Sequence, residues 1–196
     1  MTIPPAITGA TMHSLDTLKF SGRRNVLRLN EKLATIQAGT IATAAFRSEL
    51  FGPHLVTGTI VRSGATGGYL LGGQPLDTSG QLRRPVPELF SLELSSEPQV
   101  GRGDTTRMVA GLNHGDIVTA VFEQVPYGLF TITGFAVAAP VAGVFAVGGG
   151  WYLTNRDGHF PAARLVDIEI IVEAGVHGLP IPAPIVRWPE TSAPID

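Results

Sequence analysis

The chain has 196 residues, a formal net charge of −2 and no cysteine. The lack of cysteine excludes disulfide scaffolds, thiolate metal sites and cysteine nucleophiles, and the near-neutral charge gives no global attraction to nucleic acid or to an anionic membrane. Apolar residues make up 44% of the chain and charged residues only 15%, a composition that supports a buried core. Either a partner covers part of the apolar surface, or a compact β-protein simply carries few charges.

The N-terminal residues 1–16 contain neither a basic region nor a continuous apolar run, and so they do not predict a signal peptide. The most apolar stretch, residues 129–153, is interrupted by Pro140 and by several glycines. Its β-branched residues alternate, which predicts two strands and a turn rather than a membrane helix. We therefore expect a cytoplasmic protein that has no membrane partner.

An internal repeat divides the chain. Residues 39–94 align with residues 115–170 without gaps and give 16 identities in 56 positions, where about four are expected by chance. The repeat predicts an N-terminal arm or first strand over 1–28, a first repeat over 29–95, a second repeat over 96–174 and a C-terminal arm over 175–196. The identical pairs include Gly39/Gly115, Ile41/Ile117, Phe46/Phe122, Gly52/Gly128, Thr57/Thr133, Gly58/Gly134 and Glu93/Glu169.

Each repeat predicts one short helix followed by four strands. The helices are expected to start at Asn30 and at Thr105 or Thr106, because these residue types are favoured N-caps. In the second repeat the strands lie in residues 116–122, 129–137, 143–149 and 165–173. Gly58 and Gly134 fall inside the second strand of each repeat and predict a bulge or bend there. In the last strand, Val166, Ile168, Ile170 and Val172 are expected to face the core.

These elements predict an all-β protein. The strong curvature signals favour a tandem duplication of a small β-barrel unit, with about four strands and a short helix per copy. The alternative is one pseudo-two-fold barrel or sandwich that uses the strands of both copies.

Catalytic motifs are weak in this sequence. The GxxxxG spacings lack the lysine and hydroxyl that a phosphate loop requires. Glu93 and Glu169 are the only charged residues shared by both repeats, and a pair near a pseudo-two-fold axis would form an acid pair or a cation site. Asp157 and His159 share one loop and could polarise each other, although Asp-Gly is also an ordinary turn. We expect no catalytic residue, no metal and no cofactor.

Interaction surfaces are the stronger expectation. The C-terminal arm is rich in proline, and Val186 and Trp188 are predicted to anchor it on its own domain or on a neighbouring subunit. Trp151 lies in the more apolar second repeat and is a third predicted interface residue. Five arginines form a second candidate surface, which would contact nucleic acid: Arg23, Arg24, Arg28, Arg83 and Arg84.

Three functions remain open at this point. The first is a non-catalytic assembly subunit that binds a protein partner or a second copy of itself. The second is a nucleic-acid-binding tandem barrel that uses the arginines. The third is an enzyme with its site between the repeats, where Glu93, Glu169 or the Asp157 and His159 loop would act.

Overall fold

The computed structural model describes residue 18 and residues 23–65, 67–78, 87–98, 100–101, 104–154 and 163–187. Within them the protein is predominantly β-sheet with two α-helices, and the all-β prediction is confirmed. The helices are α1 (Val26–Thr35) and α2 (Thr105–Ala110). The strands are β1 (Ile41–Ser48), β2 (Gly52–Arg62), β3 (Tyr69–Leu71), β4 (Gln74–Pro75), β5 (Glu88–Leu94), β6 (Ile117–Gln124), β7 (Gly128–Phe135), β8 (Val137–Ala138), β9 (Phe145–Val147), β10 (Trp151–Tyr152) and β11 (Arg164–Val172).

One large antiparallel sheet joins both repeats. Its strand order is β11-β6-β7-β2-β1-β5, with β3 paired to β2 and β4 paired to β3, and a small second sheet has the order β10-β9-β8. Strands β2 and β7 come from different repeats and pair directly, from Leu55 opposite Thr133 to Gly58 opposite Phe130. Because this pairing merges the repeats into one open sheet, the described residues contain no closed barrel. Two separate small barrels are therefore not confirmed.

The two repeats have matching strand registers. We call two positions equivalent when their numbers differ by 76. Ile41 pairs with Thr59 in β1 and β2, and the equivalent Ile117 pairs with Phe135 in β6 and β7. At the centre of the sheet Val56 lies opposite its own equivalent, Ile132. A pseudo-two-fold axis therefore passes through the sheet at this pair.

The edge strands also share an irregularity. The register of β5 shifts where it passes Ala45 and Phe46 of β1, and the register of β11 shifts between Leu165 and Asp167. Leu165 and Ile168 are buried, while Val166, Ile170 and Val172 are half-buried. The predicted uniform core face of this strand is therefore wrong, because the register shifts again between Ile170 and Val172 and these two residues pack on different clusters.

Gly58 and Gly134 do not mark bulges. The registers of β1 with β2 and of β6 with β7 run through both glycines without a shift. A Cβ built on Gly58 would lie 2.7 Å from the Cβ of Phe130, and one built on Gly134 would lie 2.8 Å from the Cβ of His54. The close approach of β2 and β7 thus explains the glycines without a bulge.

Both faces of the sheet are covered. One face carries the larger apolar cluster, in which Phe46, Phe122 and Phe130 are fully buried. The opposite face carries a second cluster around Leu55, Phe135 and other buried residues. Both faces of the central strands are largely apolar in the sequence for this reason.

Helix α2 starts at Thr105 as predicted, but both helices have other N-caps than the sequence predicted. Asn25 caps α1, where its side chain accepts a hydrogen bond from the backbone N–H of Arg28. Asp104 caps α2 in the same way through Arg107. Helix α1 is therefore one turn longer at its N-terminus than the Asn30 start implied. Asn30 lies inside the helix, exposed to solvent.

The described part of the C-terminal arm lies on its own chain. Ile185 is 4% exposed and donates its backbone N–H to the carbonyl of Ala138 at 2.9 Å. Earlier in the arm, the ring of His177 is buried, and its Nε2–H donates to the carbonyl of Gly115 at 3.0 Å. The arm thus covers part of the second apolar cluster.

Candidate interaction surface

Three of the five predicted arginines lie among the described residues, and their environments differ. Arg24 is half-buried and makes an ion pair with Glu88 at 3.0 Å, and its Nε–H donates to the carbonyl of Leu89 at 2.7 Å. It stabilises the edge strand β5 rather than facing solvent with its full charge. Arg23 and Arg28 are exposed, and Arg83 and Arg84 lie outside the described residues.

The predicted interface residues have different environments. Trp151 is 6% exposed, and its indole N–H donates to the carbonyl of Gly72 at 3.1 Å, so within the chain it is a core residue. Val186 is 89% exposed, and its neighbour Ile185 is the buried residue of the arm. Val186 stays a prediction for contact with a partner, and Trp188 lies outside the described residues.

Glu93 and Glu169 do not come together. Both are exposed, Glu93 opposite Thr43 on β5 and Glu169 opposite Thr119 on β11. These strands are the two ends of a six-strand path, which measures about 24 Å along the sheet at roughly 4.8 Å per strand. The sheet topology therefore separates the two carboxylates within one chain and does not support an acid pair or a shared cation site there. The Asp157 and His159 loop lies outside the described residues.

A buried polar pair accompanies the stacked aromatic rings of the first repeat. His54 is fully buried and stacks on Phe46 with ring centroids 5.7 Å apart, and the equivalent Phe130 stacks on Phe122 at 5.6 Å. Nδ1 of the imidazole lies 3.1 Å from the carbonyl oxygen of Gly52, and Nε2 lies 2.9 Å from Oε1 of Gln74.

This burial keeps His54 neutral. Burial lowers the pKa of His54 below its ordinary value of 6.5, against smaller opposing effects of its hydrogen bonds to Gln74 and Gly52. A neutral imidazole has one N–H, so a ring that donates from Nδ1 to the Gly52 carbonyl must accept at Nε2. A half-turn of the Gln74 carboxamide exchanges its oxygen and nitrogen, and its N–H then donates to Nε2. The pair therefore stabilises the core, and it offers no group to a ligand.

A shallow groove of about 550 Å³ lies between α2 and β11. Asp167 lines it, but its Oδ2 accepts the backbone N–H of Gly101 at 2.7 Å. Asp104, which also lines the groove, caps α2. These two carboxylates already have backbone partners. Within the described residues, no group of three or more His, Asp or Glu side chains could hold a metal ion.

The C-terminal arm fills one end of the second sheet face. We define the filled shelf as Gly52, Pro53, Gly115, Ile117 and Phe135. Ile117 and Phe135 are completely buried. A Cβ built on Gly115 would lie 2.8 Å from Cδ1 of Ile181, and one built on Gly52 would lie 3.0 Å from Cγ of Pro182. The arm thus passes directly over both glycines.

The pseudo-two-fold axis repeats this shelf, and no described segment of the chain passes over the two glycines of the second shelf. We define the bare shelf as the five equivalent residues, Gly39, Ile41, Thr59, Gly128 and Leu129. Ile41 and Thr59 are half-buried, and Leu129 is 38% exposed. Among the described residues, no heavy atom lies within 4 Å of a Cβ built on Gly39 or Gly128.

The two shelves have the same backbone. The φ angle is 89° at Gly39 and 94° at Gly115, and it is 65° at Gly52 and 67° at Gly128. The N–H of Gly39 donates to the carbonyl of Ile60 at 2.8 Å, and the N–H of Gly115 donates to the carbonyl of the equivalent Ala136 at 2.9 Å. The shelves therefore differ in side chains and in cover, and not in backbone shape.

Comparison with protein-family models, curated proteins and solved structures finds no match for this chain. None of the helices in the described part of the chain is long and apolar enough to cross a membrane. The structural feature that bears on function is the unequal cover of the two equivalent shelves.

Sequence reasoning found the shelf glycines as repeat identities but did not recognise the shelves. The missing information was the pairing of β2 with β7, which places Gly52 of one repeat beside Phe135 of the other. One feature of the sequence indicates that the two repeats differ in cover: only the second repeat is followed by a proline-rich segment. An unequal cover of the two copies follows from that asymmetry.

Proposed function

We propose that this protein is a non-catalytic assembly subunit that binds an extended protein segment on its bare shelf. The observation that carries this proposal is the contrast between Ile117, which is completely buried in the cluster that includes the arm residue Ile185, and the equivalent Ile41, which is half-buried. Two surfaces with one backbone geometry suit ligands of one kind, and the filled shelf takes an extended apolar segment.

The chemistry of the bare shelf supports a protein ligand. Ile41 and Leu129 supply apolar surface, and Thr59 presents a β-branched side chain. Extended and proline-rich segments are recurring protein ligands, and they dock on preformed surfaces at a low entropic cost. The five residues of the bare shelf include no ionisable side chain, a composition that suits binding of an apolar segment rather than acid–base chemistry.

We infer further that the chain arose by tandem duplication of a unit consisting of a short helix and curled antiparallel strands. The 16 identities and the matching registers of β1 with β2 and β6 with β7 support this inference. In this account the two shelves began as one ligand-binding surface. The arm then occupied the copy that uses Gly115, and the copy that uses Gly39 kept its capacity to bind.

The proposal is tested by size-exclusion chromatography with light scattering, with absorbance recorded at 260 and 280 nm. We expect the wild-type protein to form a defined oligomer free of nucleic acid. Leu129→Arg places a charge on the bare shelf and is expected to reduce the mass to that of a monomer. Leu27→Arg is the matched control, because Leu27 is 78% exposed on α1 away from the shelf.

Two results would contradict the proposal. A wild-type protein that remains a monomer at every accessible concentration has no assembly function of its own. A peak rich in 260 nm absorbance that is stripped by salt would instead favour the nucleic-acid alternative, because phosphate contacts are lost as salt rises.

A further inference from the structure

The contacts of the filled shelf define the ligand that such a shelf takes. The bound segment is Ile181–Ile185, with the sequence Ile-Pro-Ala-Pro-Ile. Its first isoleucine lies over Gly115, and the following proline lies over Gly52. Its last isoleucine is 4% exposed, and its N–H binds the carbonyl of Ala138. The recognised pattern is thus isoleucine, proline, two small or proline residues, and isoleucine.

The chain carries this pattern a second time. Residues 3–7 read Ile-Pro-Pro-Ala-Ile, with the same spacing of the two isoleucines and a proline directly after the first. The dipeptide Ile-Pro occurs at residues 3–4 and 181–182 and nowhere else in the sequence. Proline-rich segments are already extended before binding, so they lose little conformational entropy when they dock.

Leu18 is the described residue that lies nearest in the chain to this second segment. It is 3% exposed and lies in the second apolar cluster with Phe51, Phe135 and Ile185. Two copies related by a two-fold axis can each bring this segment to the bare shelf of the other copy.

We propose that the bare shelf binds residues Ile3–Ile7 of a second copy of this chain. Ile3 lies over Gly39, Pro4 lies over Gly128, and the N–H of Ile7 binds the carbonyl of Arg62, which is the equivalent of Ala138. Two copies that exchange N-termini in this way form a closed two-fold dimer. This inference rests on the proposed assembly function and names its partner.

Sedimentation velocity of full-length variants tests the exchange. Ile3→Asp/Ile7→Asp removes the segment and leaves the shelf, whereas Leu129→Arg removes the shelf and leaves the segment. Each variant alone is expected to raise the dimer dissociation constant by at least about tenfold. Thr2→Asp/Thr11→Asp adds the same charge on either side of residues 3–7 and is expected to dimerise like the wild type.

Mixing the two damaged variants is the decisive step. A mixture contains one intact shelf and one intact segment on different chains, so we expect heterodimers that neither variant forms alone. If Leu129→Arg dissociates the protein and Ile3→Asp/Ile7→Asp does not, the N-terminal occupant is wrong while the assembly function stands. If both variants dissociate and the mixture stays monomeric, the segment acts within its own chain. A monomeric wild type overturns both proposals.

Discussion

The filled and bare shelves occupy equivalent ends of one sheet face and have almost identical backbones, yet only one of them is part of a core. At the filled shelf, Phe135 and Ile117 are completely buried, and the arm passes over the neighbouring Gly52 and Gly115. At the bare shelf, the equivalent Thr59 and Ile41 are half-buried. The difference shows that one strand framework provides either a buried core or a more exposed surface, and the described covering segment lies on only one of the two shelves.

The arm itself provides the largest test of this comparison. Ile185→Ala is expected to lower the free energy of unfolding by about 2–5 kcal/mol, because it empties a buried site between the arm and the sheet. Val186→Ala is the matched control on the adjacent residue and is expected to change stability by less than about 0.5 kcal/mol. Urea denaturation of both variants measures the difference. Equal losses would show that the arm is not held through Ile185.

Substitutions at the stacked ring of His54 are expected to have the next largest effect on the free energy of unfolding. His54→Phe copies the equivalent Phe130 into the first repeat but leaves the Gln74 amide without its partner, and we expect a loss of about 1–3 kcal/mol. His54→Phe/Gln74→Ala removes the orphaned amide and is expected to recover part of that loss. A double-mutant cycle by urea denaturation measures the coupling. Strict additivity of the two changes would contradict a hydrogen bond between these side chains.

The same pair predicts a dependence of stability on pH. Because folding lowers the pKa of His54, this imidazole binds a proton more readily in the unfolded protein than in the folded protein. Its contribution to stability is complete above the ordinary pKa of about 6.5 and falls as the pH drops toward the folded pKa, by at most about 1.4 kcal/mol per pH unit. The double variant lacks the imidazole and is expected to have a flatter profile below pH 6.5 in parallel denaturation series. Identical profiles would contradict this account.

The shelf glycines give a smaller and more closely matched comparison. Gly39→Ala and Gly115→Ala introduce the same left-handed strain, because their φ angles differ by only a few degrees. Gly115→Ala also crowds Ile181, and we expect it to cost up to about 1 kcal/mol more. Adding Ile181→Ala to both variants should remove the difference in unfolding free energy. A difference that persists would place its cause outside the arm.

The smallest expected effect belongs to the exposed arginines. Arg23→Ala/Arg28→Ala is expected to leave the oligomeric mass, the 260 to 280 nm ratio and the salt response of the protein unchanged. Arg24 is left intact in this variant, because its contacts with Glu88 and Leu89 stabilise β5. Loss of bound nucleic acid on this double substitution would instead favour the nucleic-acid-binding alternative.

The strand content was predictable because β-branched and aromatic residues cluster between glycines and prolines in both repeats. Residues 117–124 and 128–135 form strands close to where the pattern placed them. The gapless repeat was predictable as well, and matching registers accompany it. Both features can be read from one sequence, because they depend only on neighbouring residues and on the repetition of a segment.

The pairing of the repeats was not predictable from local sequence. Gly58 resembles a bend residue when β2 is considered alone, and only the neighbouring Phe130 of the other repeat explains it. In the same way, Ile185 and Val186 are adjacent apolar residues of one extended arm. Which of them is buried depends on the docked orientation of the arm, and the sequence carries no record of that orientation.

The most direct measurement of the central claim is carbene footprinting of the wild-type protein across a concentration series. Labelling of Ile41 and Leu129 reports the bare shelf, and labelling of Ile117 and Phe135 reports the filled shelf in the same sample. We predict that the bare shelf loses labelling as the concentration rises, while the filled shelf is protected at every concentration. Constant labelling of Ile41 and Leu129 throughout the series would contradict the claim that this shelf binds a second copy.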